Sequence, residues 1–149
     1  MATKNTTTKR KTQLSTKAWL LRGISSIPGT LKLSKGRLSF TAFDAGTCWG
    51  FQLRKLEAET DREGLAERLD NAKNTIVFDV PLANVQKVRF PWFYFSSGVK
   101  LTLDGVRYRF GFDKPANTRM PSEGVDLSEI SKARRSGKAW KAVLLEQAE

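Results

Sequence analysis

Two short turns constrain this chain more than anything else in it. Lys35-Gly36 and Asp104-Gly105 each sit between runs that alternate apolar and polar residues. Loops this tight need positive φ, which glycine supplies, and they set the register of the strands they join. Around the first turn, Leu33 falls opposite Leu38 and Leu31 opposite Phe40. Around the second, Leu103 falls opposite Val106 and Leu101 opposite Tyr108. Alternation with period two then makes each hairpin apolar on one side and polar on the other. The polar side of the first carries Lys32, Ser34, Arg37, Ser39 and Thr41. That of the second sets Lys100 opposite Arg109 and Thr102 opposite Arg107.

The rest of the chain is read around these hairpins. Ala18–Ile24 reads as the first strand, and Pro28-Gly29 as the turn that follows it. Thr75–Val80 returns to strand after residues 44–74, and Pro81-Leu82-Ala83-Asn84 breaks it. The 44–74 insert opens on a turn at Asp44-Ala45-Gly46-Thr47 and reads as one or two short helices, with Leu53, Leu56, Leu65 and Leu69 as their apolar stripe. Trp49 and Phe51 are expected to cap the core. Val85–Tyr94 reads as a strand whose core face is Val88, Phe90, Trp92 and Tyr94. It ends in the run Phe90-Pro91-Trp92-Phe93-Tyr94-Phe95. Pro91 cannot donate to a ladder, so it belongs at an edge or bulge. Phe93 and Phe95 then point away from the core, either under another element or into an interface. Asp126 caps a final helix that runs to about Gln147, with Ile130, Ala133, Gly137, Trp140 and Leu144 on one face. Lys132, Arg134, Arg135, Lys138 and Lys141 make its remainder basic.

Composition narrows the chemistry. The 149 residues carry 26 Lys and Arg against 15 Asp and Glu, a net charge of +11. Such a balance favours anionic partners: nucleic acid, an anionic membrane or an acidic protein. Histidine is absent, which removes the commonest general base and metal ligand together. With Cys48 the only cysteine, a zinc site of the Cys/His kind cannot be built, and no intramolecular disulfide can form. No metal, cofactor or catalytic group is expected. No apolar run approaches the ~20 residues of a membrane span. A cytoplasmic protein, peripheral at the inner face of the membrane, is the expectation. Residues 1–17 hold five Lys and Arg among Thr, Ser and Asn, without an acid. They read as a disordered basic tail, leaving residues 18–147 as one domain. A transit peptide is a weaker reading of the tail, because it has little amphipathic apolar content.

Seven strands followed by one helix is the order of pleckstrin-homology-like folds, and some residues carry the likeness further. Gly29-Thr30-Leu31-Lys32-Leu33-Ser34 with Arg37-Leu38-Ser39-Phe40 resembles the first hairpin of GRAM domains. Val80-Pro81-Leu82-Ala83-Asn84-Val85 resembles their I-P-L-x-x-I stretch. Val99–Phe110 is similar to their final hairpin. The resemblance implies an α+β fold: a seven-stranded antiparallel β-barrel or sandwich with a C-terminal capping helix. The helical insert would lie between the third and fourth strands. It also implies a binding module for phospholipid headgroups or proteins. The insert and the aromatic run depart from the family pattern.

Three basic groups are candidates for an anion. Lys32, Lys35 and Arg37 have the spacing K-x-x-K-x-R around a glycine turn, and this resembles the phosphoinositide motif of some pleckstrin-homology domains. Lys100, Arg107 and Arg109 share the outer side of the second hairpin, where opposed like charges are unfavourable unless an anion, or a carboxylate from elsewhere, sits between them. The alternative there is that salt and long side chains screen the conflict. Arg134, Arg135 and Lys138 lie on the outer face of the helix, which is otherwise a solvated face. Pro91, Phe93 and Phe95 form a candidate interface, homo-oligomeric in one reading. Nucleic acid is the alternative partner, using the tail and the helix, although no helix-turn-helix or RNP-type motif is present.

Overall fold

The computed structural model describes residues 13–90, 98–112 and 135–144. Seven antiparallel strands form one sheet: β1 (Leu14–Arg22), β2 (Ser25–Ser34), β3 (Arg37–Ala42), β4 (Thr75–Pro81), β5 (Val85–Arg89), β6 (Gly98–Leu103) and β7 (Val106–Gly111). Their order in space is β4-β3-β2-β1-β7-β6-β5. Between β3 and β4 lie α1 (Gly50–Thr60) and α2 (Leu65–Asp70). A last helix, α3, covers residues 135–144. The class is therefore α+β with a C-terminal helix, as the strand pattern predicts.

Both hairpin turns form as read. Lys35 and Gly36 have φ of 53° and 72°, and Asp104 and Gly105 have 49° and 81°. The expected pairs, Leu33 with Leu38, Leu31 with Phe40, Leu103 with Val106 and Leu101 with Tyr108, are all present. Their apolar sides turn inward and are buried, except Val106, which is half-buried against the core.

The first turn is elsewhere than expected. Pro28-Gly29 is not a turn but part of β2, with Pro28 opposite Trp19 and Gly29 opposite Ala18. Proline is tolerated because the β3 ladder ends at the Gly29–Ala42 pair, so Pro28 lies beyond it. Glycine is required because a Cβ at position 29 would come within 2.3 Å of the Thr41 carbonyl oxygen. The chain reverses instead at Gly23-Ile24, where Gly23 has φ of 62°. The first strand also begins earlier than Ala18, at Leu14, because residues 14–17 pair with 30–33 of β2. That part of the expected tail is ordered; residues 1–12 lie outside the described residues.

The sheet curls over its apolar face. Phe78 of β4 lies 5.0 Å from Tyr108 and 6.0 Å from Phe110 of β7, ring centre to ring centre, although three strands separate β4 from β7 in the ladder. Phe40 joins them at 4.9 Å from Phe110. Tilted aromatic contacts of this kind add to the area they bury. No ladder joins β4 to β5 among the described residues, so the sheet is open and the expected barrel closure is absent there.

Helices cover the open ends. Leu53, Leu56, Leu65 and Leu69 are buried as the apolar stripe of the insert. Gln52 accepts a bond from the Trp49 backbone N–H (2.8 Å) and donates to the Arg22 carbonyl (3.3 Å), tying the start of α1 to the end of β1. Glu57 accepts from the Ala66 N–H at 2.9 Å and so joins the two helices. On α3, Gly137, Trp140 and Leu144 face inward as predicted. Trp140 stacks on Phe112 at 6.4 Å and donates to the Thr16 hydroxyl at 3.0 Å. The expected capping role of Trp49 and Phe51 is not met: they are 66% and 62% exposed. Leu53 and Leu56 of the same helix fill the interior instead. Trp92, Phe93, Tyr94, Phe95, Asp126, Ile130 and Ala133 lie outside the described residues.

Candidate functional site

The outer face of β5, β6 and β7 gathers cations by register. Arg89 pairs with Lys100, and Lys100 pairs with Arg109, so three basic residues stand in line across three strands. In the next row Gln86 pairs with Thr102 and Thr102 with Arg107. All these residues project opposite to Leu101, Leu103, Tyr108 and Phe110, which are buried.

A bulge completes the arrangement. On β5 two residues, Lys87 and Val88, separate Gln86 from Arg89, whereas on β6 only Leu101 separates their partners. The extra residue is taken up at Lys87, whose φ is 52°. A bulge shifts the alternation by one and re-aims the side chains that follow. Strict alternation from Val85 would send Lys87 inward and Val88 outward. Here Val88 turns inward to the core while Lys87 and Arg89 stay exposed.

The result is a groove of about 660 Å³ lined by Lys87, Arg89, Lys100, Arg107 and Arg109, with Leu21 and Thr102 among its walls. No acidic side chain lines it among the described residues. A second depression of about 340 Å³ continues past Leu21, Arg107 and Arg109 to Arg22, Gly23, Phe51, Lys55 and Glu59. Glu59 is held by Arg22 at 2.5 Å. Clustered guanidinium groups offer forked donors suited to phosphate and carboxylate oxygens.

The sequence-predicted groups fare differently. Lys100, Arg107 and Arg109 come together as the register implies and form the heart of the groove. Lys32, Lys35 and Arg37 do not join them. Lys32 is level with Ser15 on β1, whereas Phe110 is level with Leu20. Five residues of strand, roughly 17 Å, separate those levels. Arg37 is also engaged: its Nε donates to the Asp79 carboxylate at 2.9 Å and its Nη2 to the Asp79 carbonyl at 3.1 Å. Arg135 and Lys138 are exposed on α3, away from Trp140. Arg134, Pro91, Phe93 and Phe95 lie outside the described residues. Sequence reading misses Lys87 and Arg89. The signal is present as a phase break, since Val85, Val88 and Phe90 are spaced three and then two apart.

Two titratable groups near the core are shifted by burial. Burial pushes the Cys48 thiol up to about 11, despite the nearby Arg22 charge. Burial, with Glu59 adding to it, pushes the Tyr108 hydroxyl up to about 12. Both stay neutral at ordinary pH, and a neutral thiol is a weak nucleophile.

What fold and site define is an α+β domain with an open antiparallel sheet and a cationic outer groove. Comparison with protein-family models, with curated proteins and with solved structures finds no match for the chain.

Proposed function

We propose that this chain is a non-catalytic binding module of pleckstrin-homology-like, GRAM-like character whose outer groove takes a multiply charged anionic group. The ligand class is a phospholipid headgroup at a membrane surface, met by a cytoplasmic protein that docks from outside the bilayer. One observation carries the reading: five cations line a single groove, three of them in one row across β5, β6 and β7. Like charges directly opposed on a sheet are unfavourable in isolation. A bound anion offsets such repulsion. Among the described residues no helix is long and apolar enough to cross a membrane. The neutral Cys48 and Tyr108 agree with a binding rather than a catalytic role.

Co-sedimentation with vesicles tests the reading. The chain is expected to pellet with mixed phosphatidylcholine–phosphatidylserine vesicles and to stay in solution with phosphatidylcholine alone. Equal behaviour toward the two would remove it. The exposed basic face of α3 (Arg135, Lys138, Lys141) supports nucleic acid as the alternative partner. A gel shift at low salt that survives Arg107→Glu/Arg109→Glu would favour that alternative.

A further inference from the structure

Ile24, Trp49 and Phe51 are the most exposed large apolar side chains among the described residues, at 89%, 66% and 62%. They belong to two different elements that meet at one end of the sheet. Ile24 is at the tip of the turn between β1 and β2, and Trp49 and Phe51 flank the start of α1. Gln52 fastens that start to the Arg22 carbonyl, one residue before the turn. Phe51 and Gly23 line the same depression, and the Trp49 and Phe51 rings lie 6.3 Å apart. Single exposed hydrophobic residues are ordinary on protein surfaces; a group of three at one end is a marker of contact.

This apolar end borders the cationic groove. The depression beside Phe51 shares Leu21, Arg107 and Arg109 with the main groove and adds Lys55. We infer that Ile24, Trp49 and Phe51 form a wedge that enters the interfacial layer of an anionic phospholipid bilayer while the groove cations hold its phosphates. The inference rests on the groove reading and adds to it an orientation and a second, apolar contact.

The chemistry of the three residues selects a bilayer over the other polyanions. Tryptophan and phenylalanine are favoured at the boundary between headgroups and acyl chains. Cations near an anionic leaflet each add attraction that salt screens. Single-stranded nucleic acid would use ring faces as stacking platforms. Ile24 has no such face, and the Trp49 and Phe51 rings are inclined at 49° to each other rather than parallel. An acidic protein surface would match the charge but would leave the wedge without apolar cover. A bilayer satisfies both contacts at once.

Three forms of the full chain separate the outcomes: wild type, Ile24→Ser/Trp49→Ser/Phe51→Ser, and Arg107→Glu/Arg109→Glu. Each is measured against mixed phosphatidylcholine–phosphatidylserine vesicles and against soluble inositol hexakisphosphate. The wedge variant is expected to lose about tenfold or more in vesicle affinity and to keep wild-type affinity for inositol hexakisphosphate. The groove variant is expected to lose both. If the wedge variant binds vesicles as wild type does while the groove variant fails, the wedge is overturned and the groove reading stands. If the groove variant binds both probes as wild type does, the groove reading itself falls, and the wedge with it. A second readout does not depend on the triple variant folding. Lipids brominated near the headgroup end of the acyl chain should quench wild-type fluorescence on binding, and Trp49→Phe should remove most of that quenching. Equal quenching in wild type and Trp49→Phe would place Trp49 outside the bilayer and refute the inference.

Discussion

Replacing Arg109 with glutamine should stabilise the fold while weakening anion binding. Arg109 faces Lys100 directly across the β6–β7 ladder and shares its side of β7 with Arg107. It is exposed, and it forms no ion pair with a described residue. Taking each charge pair as ~7 Å apart in surroundings close to water, Coulomb repulsion is about 0.6 kcal/mol per pair before screening. Arg107 alone makes about 0.6 kcal/mol at low salt, falling to about half of that near 0.1 M ionic strength, where the Debye length is about 10 Å. For a domain of this size, Arg109→Gln should therefore raise Tm by about 1–4 °C at low salt. The gain should shrink toward zero in ~0.5 M salt, where the Debye length is only a few ångströms. Affinity for inositol hexakisphosphate should fall by about tenfold, the loss of one charge-assisted contact. Thermal melts followed by circular dichroism at low and high salt, with titration calorimetry beside them, read both quantities. The opposite signs are diagnostic. A lower Tm at low salt, or unchanged affinity, would refute the argument that this row of cations is kept for a ligand. Arg37→Gln is the matched control. It removes a half-exposed ion pair with Asp79, so stability should fall by no more than about 1 kcal/mol and anion affinity should hold.

Three further outcomes follow from the packing and the titrating groups. Gly29→Ala should destabilise the protein by about 1–3 kcal/mol in a denaturant titration, because the added Cβ meets backbone atoms of Thr41 and Ala42 as well as the Phe40 ring. Trp140→Ala should cost about 3–5 kcal/mol by the same assay, since it removes the stack on Phe112 and the bond to Thr16. Stability should fall as pH rises from about 9 to about 11, because there the unfolded Cys48 has lost its proton and the folded one has kept it. Tyr108 extends the decline from about 10 to about 12 by the same sign. Alkaline melts of Cys48→Ala and Tyr108→Phe should each flatten part of that slope, and a thiol reagent at pH ~8 should modify native Cys48 far more slowly than the unfolded chain.

The two glycine hairpins are legible in the sequence because a two-residue loop leaves no freedom in register. Counting outward from Asp104-Gly105 is enough to put Lys100, Arg107 and Arg109 on one face. The 44–74 insert is legible for a similar reason, as Leu53, Leu56, Leu65 and Leu69 all have to be buried somewhere. The first turn misleads because Pro-Gly is a common turn dipeptide. At Pro28-Gly29 a different demand prevails, the close approach of β3 to residue 29. Leu14–Lys17 has the composition of a tail, and its strand partners, residues 30–33, are distant in sequence. The bulge at Lys87 is hidden for a local reason: an extra residue breaks the alternation on which strand reading depends. Reading Val88 and Phe90 as core already puts Lys87 and Arg89 on the outer face; what stays hidden is the register that brings Arg89 into line with Lys100 and Arg109. The apolar wedge is hidden by the opposite error. Trp49 and Phe51 have the composition of core, and only the packing of the leucines shows that the interior is already full.

The central claim is that anion binding resides in the outer groove of β5, β6 and β7. Amide chemical-shift mapping during titration with inositol hexakisphosphate tests it residue by residue. The largest shifts should fall on Lys87, Arg89, Lys100, Arg107 and Arg109, with Lys32, Lys35 and Arg37 little changed. Shifts centred on Lys32 and Lys35, or confined to Arg135, Lys138 and Lys141 of α3, would contradict it.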